Sequence, residues 1–317
     1  MEVMWLCVLG LMLVGWSVLD GGNLGLGMSL RRIGTTDPER RLLLTALGPF
    51  LLSGEVWLIA GAGLLIGAFP AVEKDVLHAA YPVVVALLVG WVLRDIGVWF
   101  RSRRPSARWR GGWERTIVAA STVMAFAWGM LLGNLAQGVP HDSTTGLGTL
   151  VGPYSLLWGA TMVAVFTSHG AVFAALRMPR ERRERSVAVA RRAVPVAGAL
   201  LGATILLTPA FGVELTQPVP ALLMQLVAIV AIVAAGRLLH RERDGWAYVC
   251  TAIAAAAPPV AVGVAVAPRL LDGAAGSGTL DLLTAMALPV IPVLLAVQAW
   301  LWWVFRIRVS ARSAVFF

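Results

Sequence analysis

Two carboxylic acids stand inside long apolar runs. Asp20 lies in L-D-G-G-N-L-G-L-G (Leu19–Gly27) and Glu55 in L-L-S-G-E-V-W-L (Leu51–Leu58). A charge in hydrocarbon costs at least about 2.5–3.5 kcal/mol on insertion scales, so each acid is a functional candidate. On a helix Asp20 and Asn23 share a face at i, i+3, and the neighbouring glycines let another backbone come close. Helix packing with one buried hydrogen bond and a proton or quinone role both fit Asp20. The glycine run lacks the spacing and the Lys-Ser/Thr ending of a phosphate loop. Glu55 sits about 13 residues from the arginine-rich end of its run, roughly 20 Å deep at helical rise. There it is paired with a cation, exchanges protons, or stays protonated against the backbone. Asp20, Glu55 and the nearby Ser53 are the candidate proton-handling groups.

Other polar residues read as structural. Arg94, at the end of the third apolar run, is expected to snorkel to the interface. Asn134 and Gln137 share a face near the far surface and are expected to bond between helices. Asn23 and Trp57 complete this supporting set. His169 is the only histidine inside an apolar run. A lone histidine can ligate haem iron, but no second His or Met is placed to complete such a site, and S-H-G-A suits packing. His78, His141 and His240 fall at loop edges. Cys7 and Cys250 lie in apolar stretches and support neither a disulfide framework nor a metal site. No metal-ligand spacing and no Ser/His/Asp or Cys/His arrangement is readable, so the chain is expected to hold no metal and no self-contained active site.

The elements that carry these residues follow from composition. Of 317 residues 58% are hydrophobic, only 14% are charged, and the mean hydropathy is +0.79. A soluble domain carries about 25% charged residues, so the chain is read as an all-α, polytopic membrane protein. The net charge of +9 does not indicate nucleic acid, because the basic residues stand in short clusters between apolar runs. Nine runs are long enough to span, at approximately 4–30, 42–70, 76–100, 116–138, 152–176, 193–212, 219–239, 246–267 and 282–305. The first thirty residues contain no Lys or Arg, so they are not expected to be a cleaved signal peptide. Odd-numbered connections and the C-terminal tail hold 23 Lys or Arg, the alternate connections 2. By the positive-inside rule the N-terminus is outside and the C-terminus cytoplasmic. The loops are too short for a soluble domain. The run R-M-P-R-E-R-R-E-R-S after the fifth span is a topology signal that could also meet anionic membrane lipids.

The motifs together resemble subunit II of the cytochrome bd-type quinol oxidases. They are D-G-G-N-L-G-L-G at Asp20–Gly27, D-P-E-R-R at Asp37–Arg41, G-E-V-W-L at Gly54–Leu58, Arg94, and F-R-S at Phe100–Ser102. G-N-L-A-Q-G-V-P at Gly133–Pro140, H-G-A at His169–Ala171 and W-V-F-R at Trp303–Arg306 follow in family order. The first 180 residues carry the likeness; residues 190 to 280 are generic apolar sequence. The resemblance implies nine transmembrane helices as two four-helix bundles (1–140 and 150–268) plus a ninth helix (280–306). It implies a bacterial cytoplasmic-membrane complex with subunit I, which holds haems b and d and the quinol site. This chain would hold no haem, scaffold its partner, help protons enter from the cytoplasm during four-electron reduction of O2 to water, and have room for a structural quinone.

One departure stands out. The family usually reads W-D-G-N before E-V-W, and its Asp is associated with a proton route; here Leu51, Leu52, Ser53 and Gly54 occupy those positions. An aliphatic Leu52 carries no proton. The histidine that usually follows the proline is Phe50. Two other readings therefore stand beside the oxidase subunit: a non-catalytic scaffold paralogue, and a secondary transporter built on the glycine-interrupted helices.

Overall fold

The computed structural model describes residues 1–138 and 150–310, and of 74–78 the backbone alone. The connection read around His141 and the side chain of His78 fall outside the described residues. The described residues form α1 (Glu2–Ile33), α2 (Asp37–Ala68), α3 (Pro70–Ala79), α4 (Tyr81–Phe100) and α5 (Ala107–Gln137). α6 (Pro153–Arg177), α7 (Arg183–Leu207), α8 (Pro218–His240), α9 (Asp244–Asp272), α10 (Ser277–Ala287) and α11 (Val290–Val304) follow, with no strand among them. Among the described residues nine segments are long and apolar enough to cross a membrane; α10 and α11 together make the ninth.

Local chemistry sets the boundaries. Glu39 accepts the Thr35 and Thr36 amides at 2.9 and 3.1 Å, satisfying donors that the start of α2 would otherwise orphan. α5 runs to Gln137 and stops at Gly138, whose φ of +84° suits glycine. Two expectations are adjusted. α3 is a separate short helix between the second and third spans, which start at Asp37 and Tyr81 rather than at 42 and 76. The ninth span is divided at Leu288–Pro289, where proline lacks the amide a continuous helix needs.

Neighbours in sequence pack as neighbours in space: α1 on α2, α4 on α5, α6 on α7, α7 on α8, and α8 on α9, with α9 returning to α6. α1 also packs on α5, α6 and α9, and α5 on α6. α6 is the most enclosed span and α10–α11 the least. The enclosure of α1 is glycine's work. A Cβ on Gly25 would overlap the Phe166 carbonyl oxygen, and one on Gly170 would overlap the Leu26 amide, so α1 and α6 cross backbone to backbone.

The arginine-rich connections meet at one end. Arg40 of the first pairs with Glu114 of the third at 2.8 Å, and Arg185 of the fifth with Glu39 at 2.7 Å. Arg183 pairs with Asp244 across the fifth and seventh at 2.6 Å, and Arg308 of the tail reaches Asp244 at 3.0 Å and the Met178 carbonyl at 2.6 Å. The other end is stitched by neutral contacts, such as the Ala275 amide to the Ala68 carbonyl at 2.8 Å.

Candidate functional site

α1, α2 and α4 bring their polar residues to one buried point centred on Arg94. Its Nη1 donates to both oxygens of Asp20 at 2.8 Å, its Nη2 to Glu55 Oε1 at 2.6 Å, and its Nε to Asp95 Oδ1 at 2.9 Å. Asp20 and Arg94 are wholly buried, Glu55 is 6% exposed, and the Asp95 side chain 20%. Asn23 donates to Asp20 Oδ1 at 3.1 Å and to the Phe50 carbonyl at 3.0 Å, tying the cluster to the α2 backbone.

The expectation that Arg94 snorkels to the interface is corrected. Side chains on a helix lean toward its N-terminus, and α4 runs toward the arginine-rich end. Arg94 therefore leans back into the molecule, where three carboxyls engage all three of its side-chain nitrogens. Of the three arrangements open to Glu55, the structure shows contact with a cation, Arg94. Asp95, next to Arg94 in sequence, belongs to the cluster and was not singled out; adjacency to an intramembrane arginine was the available signal.

Ser53 stands apart, its hydroxyl donating to the Phe50 carbonyl at 3.1 Å. Leu52 points outward, 60% exposed, in line with Val56 and Ile59 on the outer face of α2. Trp57 is buried against Gly15, with no partner for its indole N–H among the described residues.

The remaining candidates are dispersed. Asn134 is buried and donates to the Met130 carbonyl at 2.8 Å and the Leu150 carbonyl at 3.3 Å. Gln137 is exposed in the last turn of α5, so the two amides are not brought together. His169 is fully buried and stacked on Tyr248, with ring centroids 4.8 Å apart. Its Nε2 donates to the Val18 carbonyl at 2.9 Å, and its Nδ1 meets the Thr251 hydroxyl at 2.8 Å. With both nitrogens engaged, His169 does not fit an axial haem ligand. Among the described residues no three His, Cys, Asp or Glu side chains are grouped to hold a metal ion.

A second ionic group lies at the arginine-rich end. Arg101, only 1% exposed, holds Glu114 at 2.7 Å and Asp37 at 2.6 Å, and Asp37 also receives Arg110 at 3.1 Å. It ties α2, α4 and α5 together below the Arg94 cluster. The F-R-S and D-P-E-R-R motifs thus meet in space.

Comparison with known proteins follows the same lines. Residues 1–305 match the family described as cytochrome bd terminal oxidase subunit II. The cytochrome bd ubiquinol oxidase subunit 2 of Bacillus subtilis is 25% identical over 98% of this chain and 97% of its own length. The cytochrome bd-I ubiquinol oxidase subunit 2 of Escherichia coli K12 is 26% identical over 96% and 93%. In structure, a chain of the bd oxidase from Geobacillus thermodenitrificans superposes with a TM-score of 0.75 at 18% identity, covering 96% of this chain and 98% of that one.

Proposed function

Because the chain belongs to the cytochrome bd terminal oxidase subunit II family, we propose that it scaffolds a haem-bearing subunit I in a quinol:oxygen oxidoreductase of the bacterial cytoplasmic membrane and handles protons at the Arg94 cluster. The observation that carries this reading is one buried guanidinium facing three carboxyls. With all three ionised the group would be two charges from neutral, and a low-dielectric interior does not tolerate that imbalance. Protons complete the balance. Asp20, sealed and held by Arg94 and Asn23, is the fixed counter-ion. Glu55, nearly buried, and Asp95, at the rim of the cluster, keep 8% and 20% of their side chains exposed and are the carboxyls a proton can reach. Ser53 serves to orient the Phe50 carbonyl.

The partner's haems supply the electron transfer and O2 chemistry. Four electrons from two quinols reduce one O2 to two waters and consume four protons, which this reading draws from the arginine-rich, cytoplasmic side. α1, α2, α4 and α5 make the first bundle, α6 to α9 the second, and α10–α11 the ninth span. The outer face of α2, with Leu52, Val56 and Ile59, is the surface offered to subunit I. Room for a structural quinone exists in a cavity of about 330 Å³ near Tyr154, Thr208 and Gln225, and quinone analysis of the purified complex decides whether it is filled.

The test uses the complex with subunit I, assayed for quinol-driven O2 uptake. Glu55→Gln is expected to lower turnover by about 10²-fold, the scale of a positioned proton-transfer group, while the haem spectrum stays unchanged. Glu55→Asp is expected to restore part of the rate. Undiminished turnover in Glu55→Gln removes Glu55 from proton handling. The non-catalytic scaffold reading is favoured by Leu52 alone, and a wild-type complex that binds haem but consumes no O2 would put it first.

A further inference from the structure

A cleft of about 790 Å³ opens where α5, α6 and α7 meet, and it shares no residue with the Arg94 cluster. Its α7 wall is a single helical stripe: Arg185, Val189, Arg192, Val196 and Leu200, spaced by three or four residues. The stripe is cationic at the arginine-rich end and apolar beyond. Phe126 of α5 and Val163 of α6 face it, and Arg32 from the last turn of α1 joins the cationic end. Arg185 is held by Glu39 at 2.7 Å. Among the described residues Arg32 and Arg192 have no ion-pair or hydrogen-bond partner.

The dimensions match one lipid leaflet. From Arg192 to Leu200 the helix rises about 12 Å and from Arg185 about 22 Å, against roughly 15 Å for half of a bilayer's hydrocarbon. Val196 is 51% exposed, so the cleft is open on its lipid-facing side. The two wall threonines are already engaged: Thr122 donates to the Val118 carbonyl at 2.7 Å and Thr167 to Met28 Sδ at 3.9 Å. Below the arginines the walls therefore ask only for apolar contact.

We infer that this cleft seats one anionic phospholipid. Its phosphodiester lies among Arg32, Arg185 and Arg192, and an acyl chain runs along Val189, Val196 and Leu200 against Phe126 and Val163. Basic pockets between transmembrane helices attract acidic headgroups, and the apolar floor adds what a soluble anion cannot use. The assignment to the cytoplasmic leaflet rests on the orientation proposed above; the binding itself does not.

The test is native mass spectrometry of the complex with subunit I, titrated with phosphatidylglycerol, phosphatidylcholine and inorganic phosphate. One phosphatidylglycerol is expected to bind in preference to phosphatidylcholine. The double variant Arg32→Gln/Arg192→Gln, which breaks no ion pair, is expected to weaken that binding about thirtyfold. Val196→Trp, which fills the apolar half and keeps every arginine, is expected to weaken it as well. Both sites are at the surface, and an unchanged haem spectrum checks assembly. Four results overturn the proposal: binding unaltered in both variants, binding lost in the arginine variant but kept in Val196→Trp, phosphate competing as well as the lipid, or subunit I covering the cleft so that no lipid enters.

Discussion

Arg94 decides the charge balance of the interior. Removing one partner of a buried ionic group leaves the others uncompensated, at a cost of about 3–5 kcal/mol. Arg94→Gln is therefore expected to lower the yield and thermal midpoint of the complex sharply. The quadruple variant Asp20→Asn/Glu55→Gln/Arg94→Gln/Asp95→Asn, neutral throughout, is expected to recover both. Recovery in a thermal-shift assay distinguishes charge compensation from a packing role for the arginine stem, which all these variants lack. The acids were legible in the sequence because an acid in an apolar run has few explanations. Their pairing was not: Arg94 is 74 residues from Asp20 and 39 from Glu55, and nothing local in the sequence marks which distant helices bring their acids to it.

At the scale of elements, the α1–α6 crossing is the tightest constraint. Adding a methylene to a packed interior costs about 1–3 kcal/mol, and here the colliding atoms are backbone, which cannot rotate away. Gly25→Ala and Gly170→Ala are each expected to destabilise the chain at or beyond the upper end of that range. Gly10→Ala and Gly202→Ala, with open space around them, are expected to leave its thermal unfolding in detergent unchanged. The glycine-rich stretch at Gly21–Gly27 announced a close approach, but not its partner, because S-H-G-A in α6 carries only one glycine and looks ordinary. Hydropathy likewise delivered the nine spans and passed over α3, whose polar Glu73 and Asp75 interrupt the apolar average. It also missed the divided ninth span, where Pro289 breaks the helix without lowering the apolar content.

The whole molecule has two unlike ends, and the asymmetry sets how it sits in a membrane. Ion pairs lace the first, third, fifth and seventh connections and the tail into one surface, so these segments must lie on the same side whatever that side is. The alternation of 23 basic residues against 2 predicted this grouping from sequence; the acidic partners Glu39, Glu114 and Asp244 were hidden because nothing local marks which arginine each would meet. The positive-inside rule then orients the whole surface at once. In a background with Cys7→Ala and Cys250→Ala, Ser106→Cys in the α4–α5 connection is expected to resist a membrane-impermeant maleimide applied to intact spheroplasts and to react after lysis. Gly276→Cys, at the opposite end before α10, is expected to react in both. The reverse pattern would move the arginine-rich surface outside and, with it, the side from which Glu55 and Asp95 could draw protons. The labelling result therefore tests orientation and the direction of proton supply together, and leaves the lipid cleft to its own measurement.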